Sequence, residues 1–320
     1  MRRVLILLLL LWPVSASGQS VFEAAGSRAL GMAGAFVAVA DDATAVYWNP
    51  AGLVAGRPAG MTIGWVDFRT GDPNGLPVPG ADHRTSKFVS LGTWPVGVSY
   101  GHFQDVAVID RPDGSRVAES LKTAQYGLTL LQTVTPGLVV GSTIKYVRGS
   151  VTSMPVTGTS AHEALDQAAK LEGDSSGRLD LDVGAMADMG KVRVGLTVRN
   201  LRESRFVDPA GFVTVLHRAA RMGVAVRPTN GLTLAIDMDL DTVDLRDGPR
   251  RILAVGGEDK IGRRWALRGG VRWSLKGPQR RVAAVGASIA LRPNFWLDSH
   301  YTQGKIDADR GLGFALRAGF

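Results

Sequence analysis

The side chains able to do chemistry are few and scattered. The five histidines, His83, His102, His162, His217 and His300, include no pair at a spacing that makes a metal site. Cysteine is absent, which removes thiolate metal sites, disulfides and a lipid-modified cysteine behind an export signal. The run "GMAGAFVAVADD" lacks the strand, turn and helix setting of a phosphate loop, and no Gly-Lys-Ser/Thr follows it. Asp298 and His300 share a face with Trp296, which a polar strand face produces without catalysis. No catalytic, cofactor-binding or metal-ligating residue is assigned, no cofactor is expected, and the chain does not read as an enzyme.

What the sequence does offer is opposite charges at matched strand positions. If Met189-Gly190 is a two-residue turn, Asp180 lies opposite Arg199 and Asp188 opposite Lys191. If Thr229-Asn230-Gly231 is a three-residue turn with a left-handed glycine, Arg221 lies opposite Asp239. Such pairs suit a narrow, partly wet lumen that neutralises its own charges, either as internal struts or beside a substrate path.

Strands must position these pairs, and the chain supplies them. From residue 60 onward, period-two segments separated by turn residues follow one another, about fourteen in all, with no long helical pattern among them. Every second link is tight ("WPV", "TPG", "MG", "PTNG", "KIG", "RPN"), and most of the others are longer. Val192, Val194, Leu196 and Val198 share one face against Arg193, Thr197 and Arg199; Trp265, Leu267, Val271 and Trp273 oppose Arg264, Arg268 and Arg272. Apolar outside and polar inside is the pattern of a transmembrane antiparallel β-barrel, an all-β fold whose closed ladder satisfies every backbone group. A soluble sandwich accounts for the strands and leaves the alternation of links unexplained.

The ends agree with export. Arg2 and Arg3, the apolar residues 4–11 and the small residues Ala16-Ser17-Gly18 form a secretory signal, so residues 1–18 are read as a signal peptide, 19–59 as an N-terminal hatch or plug, and 60–320 as the barrel. The final strand places Leu312, Phe314, Leu316 and Phe320 on one face. Phe314, Leu316 and the terminal Phe320 resemble the signal by which the barrel-assembly machinery recognises outer-membrane barrels. The expected location is the bacterial outer membrane with both termini periplasmic. Removing Arg2 and Arg3 leaves a net charge of about +6, a balance that suits outer-membrane lipid and lipopolysaccharide; no basic helix or ring-stacking platform points to nucleic acid. In "SAHEALDQAAKLEG", Ser160 and Glu163 make a capping box, Leu165, Ala168 and Ala169 an apolar stripe and Gly173 a stop. A helix of about three turns over the outer mouth is expected there.

Residues 26–52, "GSRALGMAGAFVAVADDATAVYWNPAG", carry the one dense motif. The small-residue segment from Gly26 to Ala35, the Asp41-Asp42 step and Tyr47-Trp48-Asn49-Pro50-Ala51-Gly52 resemble the amino-terminal signature of the FadL-like outer-membrane proteins, most closely the PorV/PorQ family. The resemblance implies a hatch folded into the lumen, with Asp41, Asp42, Asn49, Pro50, Ala51 and Gly52 as its motif. FadL-related members move long-chain fatty acids or other hydrophobic compounds, whereas PorV-like members carry cargo in type IX protein secretion. Transport of a small hydrophobic or amphipathic molecule and service to secretion-system proteins are therefore both expectations. Asp41 and Asp42 could meet the basic inner face at Arg193, Arg199, Arg268 and Arg272.

Overall fold

The computed structural model describes residues 17–18, 22–71, 75–77, 79–111, 113–156, 160–245, 248–277, 280–304 and 310–320. Fourteen strands form one ring: β1 (Ala59–Thr70), β2 (Asp82–Thr93), β3 (Val96–Asp110), β4 (Arg116–Thr135), β5 (Leu138–Pro155), β6 (Ser176–Met189) and β7 (Val192–Arg199) make the first half. The second half is β8 (Ala219–Val226), β9 (Leu232–Asp239), β10 (Gly248–Ile261), β11 (Trp265–Lys276), β12 (Arg281–Arg292), β13 (Phe295–Gly304) and β14 (Arg310–Gly319). Each strand pairs antiparallel with the next, and β14 pairs with β1 from Gly319↔Gly60 to Arg310↔Arg69, so the sheet closes without an edge. Among the described residues no helix is long and apolar enough to cross a membrane, a statement that does not bear on strands.

The two faces are those of a barrel in lipid. Ile63, Val89, Leu128, Ile144, Leu234, Leu267 and Val285 are exposed on the outside, while Asp182, Arg193, Arg221, Glu258 and Arg268 are buried within. A water-soluble barrel would place these sets the other way round.

Two hairpin turns differ from those the sequence predicts. In the β6–β7 hairpin Met189 pairs with Val192 and Val183 with Val198, so Gly190 and Lys191 are the central turn residues. Gly190 has φ 77°, the geometry of a turn that takes glycine first, and its N–H donates to Asp188 Oδ1 at 3.0 Å. The ladder is thereby displaced two residues from the expected register. Asp188 faces Arg193 instead of Lys191, and Arg199 lies beside Asp182 instead of Asp180. In the β8–β9 hairpin Arg221 does face Asp239, but the strands end at Val226 and Leu232, and Gly231 is not among the left-handed glycines.

The rim is uneven. β7, β8 and β9 have 8 residues each and β4 has 20, lengths of about 26 and 66 Å at about 3.3 Å per residue. The tall β3–β5 wall carries helix α3 (Ala161–Lys170), which starts with the Ser160 hydroxyl accepting from the Glu163 N–H at 3.3 Å. Ala161, Leu165 and Ala168 pack on Val106, Val108 and Ala118. Those strand residues have the outward parity of Val98, Tyr100 and Leu128, so α3 lies against the outer side of the wall and not over the mouth. The helix ends at Leu171 in extended backbone, and Gly173 instead accepts from the Ser150 hydroxyl at 3.0 Å. On the inner side, the hairpin Arg205–Val207/Val213–Val215 sets Phe206 beside Leu121, Val147 and Val151. Ser17–Gly18 runs parallel to Thr214–Val215; the rest of the expected signal segment lies outside the described residues.

Residues 22–56 fill the lumen before β1 begins. They form two short buried helices, α1 (Ser27–Gly31) and α2 (Ala45–Trp48), and a 3₁₀ helix, Pro50–Ala55, buried from Pro50 to Leu53. Trp48, Phe36 and Met32 are the largest fully buried apolar side chains of this segment, and Trp48 packs on Phe22, Phe36 and Tyr47. The wall admits the segment by withholding side chains. A Cβ on Gly286 would stand 3.1 Å from the Gly31 Cα, and one on Gly195 2.5 Å from the Val37 carbonyl oxygen.

Candidate functional site

The luminal segment is fixed to the wall by buried charge. Arg28 is central: its Nη1 donates to Asp41 and, at 3.0 Å, to Asp42, while Nε and Nη2 reach the two oxygens of Glu258 on β10 at 2.8 Å each. This fork-to-fork pairing is the strong form of an arginine–carboxylate contact. Glu258 also accepts from Arg268 Nε at 2.6 Å, and Asp298 joins Arg268 at 3.7 Å to Arg317 at 2.9 Å. Burial acts to raise the Asp41 carboxyl, but the Arg28 guanidinium prevails and holds it below its ordinary value.

Asp41 and Asp42 therefore meet an arginine of their own segment. The expected direct contacts to Arg193, Arg199, Arg268 and Arg272 are replaced by the relay through Arg28 and Glu258. Asp42 in addition accepts from the Thr44 N–H at 2.9 Å, closing the turn into Ala45–Trp48. Asn49 donates to the carbonyls of Val37 and Ala185 at 3.0 and 3.1 Å, and its Oδ1 accepts from the Ala51 N–H at 3.2 Å, starting the 3₁₀ helix at Pro50. Gly52 lies against Ala40, where no side chain fits.

A second anchor lies nearer the long-loop end. Glu23 binds Arg221 at 2.6 Å and Arg250 at 3.2 Å, and Arg221 binds Asp239 at 2.6 Å. Asp237 accepts from the N–H groups of Phe36 and Val37 at 2.8 and 2.7 Å. Neither Glu23 nor Glu258 stands out in the sequence; the first looks like an ordinary acid ahead of the small-residue motif and the second like an ordinary strand-side acid until the fold brings arginines to them. Asp180, expected as a lumen partner of Arg199, instead accepts from the Arg202 N–H at 3.0 Å and the Ser204 hydroxyl at 3.1 Å, holding down the β7–β8 loop. Lys191 lies in its turn, and Phe314, Leu316 and Phe320 are exposed on the outer wall.

Above this packed segment lies a pocket of about 80 Å³ that opens to solvent. Its floor is Glu23, Ala24, Leu30 and Tyr47, and its walls come from β1 to β4, β11, β13 and the β7–β8 loop. Phe68, Phe103, Leu121 and Leu216 give it an apolar side; Arg84, Arg199 and Arg272 give it a cationic one. Tyr47 stacks on Phe103 with centroids 5.8 Å apart and carries the Arg199 guanidinium 3.6 Å above its ring. Arg272 is buried, yet among the described residues its Nε and Nη1 have no hydrogen-bond partner. The pocket can hold a small apolar body and offer one free guanidinium to its polar end. Among the described residues no group of three His, Cys, Asp or Glu side chains could hold a metal ion.

Comparison with known proteins agrees with this architecture. A family model described as "F plasmid transfer operon, TraF, protein" matches residues 89–239. No curated protein matches the sequence. Among solved structures, the CymD monoaromatic hydrocarbon channel superposes with a TM-score of 0.66 at 16% identity, over 93% of this chain and 98% of that one. The Pseudomonas putida toluene transporter TodX gives 0.62 at 12% identity, over 94% and 99%. A Pseudomonas aeruginosa FadL homologue gives 0.59 at 12%, over 92% and 97%. At such identities the likeness is one of fold, and the chain has the closed fourteen-strand barrel fold of the FadL-type hydrocarbon channels.

Proposed function

We propose that this chain is a bacterial outer-membrane channel for passive entry of small hydrophobic or amphipathic solutes. The observation that carries the reading is the pocket between the long loops and the luminal segment, with aromatic and aliphatic residues on one side and Arg272 on the other. Such a site takes a solute from the long-loop side and holds it above the segment that closes the way onward. The solved structures of like fold, named as a toluene transporter and a monoaromatic hydrocarbon channel, support the solute class. In this reading the short-turn end, where the Phe320 N–H donates to the Ala59 carbonyl at 2.8 Å, faces the periplasm, and the terminal strand serves as the assembly signal.

Uptake of labelled toluene by cells with an intact outer membrane tests the proposal. Cells making the chain are expected to take it up faster than cells without it. Thr123→Trp, which fills the pocket from β4, is expected to abolish the gain while the barrel still folds. Equal uptake in all three strains would overturn the transport reading. It would favour a PorV-type role in protein secretion, for which the raised β3–β5 wall with α3 on its flank offers a platform.

A further inference from the structure

The outer wall of β2–β5 carries basic side chains that the lumen does not use. The ladder registers align Lys87 on β2, His102 on β3, Ala124 on β4 and Arg148 on β5 in one row, with Lys122 one outward position further along β4. All have the parity of the exposed apolar residues. Immediately toward the short-turn end, the next outward row is Val89, Tyr100, Tyr126 and Tyr146. Tyr100 and Tyr126 stand 5.1 Å apart between ring centroids, and Tyr126 and Tyr146 6.4 Å. The apolar band of the barrel therefore stops at a tyrosine row, and a basic row follows it on four neighbouring strands.

Among the described residues, no carboxylate engages these basic side chains. Lys122 Nζ donates to the Leu171 carbonyl at 2.6 Å, and Arg148 Nε to the Ser175 hydroxyl at 2.6 Å, so the chain after α3 holds both in place while leaving their charge uncompensated. Among the described residues, none of the four makes an ion pair. Neighbouring strands lie about 4.8 Å apart, so the row spaces its charges over a width of about 14 Å. A soluble acidic partner would have to dock at the edge of the lipid-facing band. A lipid with a phosphorylated headgroup is already there, and tyrosine rings below the charges suit the junction of headgroup and acyl chains.

We propose that Lys87, His102, Lys122 and Arg148 form a binding site for the phosphorylated headgroup of an outer-leaflet glycolipid, whose acyl chains lie along Tyr100, Tyr126 and Tyr146. The site rests on the outer-membrane placement given above, with the long loops outward. It is independent of the pocket and of any solute.

Native mass spectrometry of the full chain, extracted in mild detergent and offered bis-phosphorylated lipid A or its dephosphorylated form, tests the site. The wild-type chain is expected to retain the phosphorylated lipid preferentially, and K87Q/K122Q/R148Q to lose that preference by at least about tenfold. Millimolar inorganic phosphate is expected not to displace the lipid. Equal retention by wild type and triple variant, equal retention of both lipids, or complete displacement by inorganic phosphate would each overturn the proposal. Heat-dependent gel mobility shows that the variant is folded. Toluene uptake in the same strains separates the two ideas: lost lipid preference with uptake intact is the expected result for the variant, and absent uptake with the wild-type preference intact defeats the transport reading alone.

Discussion

Arg28 is the residue on which the luminal segment turns, because one guanidinium satisfies Asp41, Asp42 and Glu258 together. Replacing it with glutamine leaves buried carboxylates facing one another, a change that costs about 3–5 kcal/mol where a buried pair is broken. Arg28→Gln is expected to expose residues 22–56 to limited proteolysis while the barrel keeps its heat-dependent mobility. The same contact sets a pH window. Asp41 is held below its ordinary value, so its contribution to docking is present above about pH 4 and is lost as pH falls further through the depressed value. Protease protection of the wild-type segment is expected to be flat from neutral pH to about pH 5 and to decline only below that. The sequence made Asp41 and Asp42 legible as a charged step. Their partner was not, because Arg28 lies in the same segment and reaches them only when Ser27–Gly31 and Ala45–Trp48 fold together. The displaced pairs at Asp180 and Asp188 have an equally local cause, a glycine that takes the first central turn position instead of the second.

At the scale of elements, strands were readable and their contents were not. Period-two patterning and the alternation of link lengths mark fourteen strands and tell outside from inside, since lipid and lumen demand opposite side chains at alternate positions. Abundant glycine was readable only as ease of curvature. Its other use appears in the fold, where Gly195 and Gly286 face the luminal backbone at distances that admit no side chain. Gly195→Val is expected to destabilise docking of the segment by about 1–3 kcal/mol, as overpacking does. The expected signs are earlier proteolysis of residues 22–56 and an intact barrel band on a gel. Helix α3 was legible from its cap and stripe, but not its location. Its stripe seats on Val106 and Val108, and only the uninterrupted register of β3 shows that these point away from the lumen.

At the scale of the whole molecule, a ring of fourteen strands surrounds a chain segment that supplies much of its apolar core. Removing residues 22–56 takes away the partners of Asp237, Glu258 and Arg221 at once. Such a deletion is expected to turn a quiet barrel into one with steady ionic current across a planar bilayer, with a lower unfolding temperature; unchanged silence would mean that the wall alone closes the lumen. The β14–β1 join adds a matter of timing. Residues 22–56 precede β1, and β14 follows the other thirteen strands, so sealing that join encloses the segment in a wall built around it. The interior is thus synthesised ahead of the wall that encloses it. The chain is wound like a spool, its core present from the first turn of the thread.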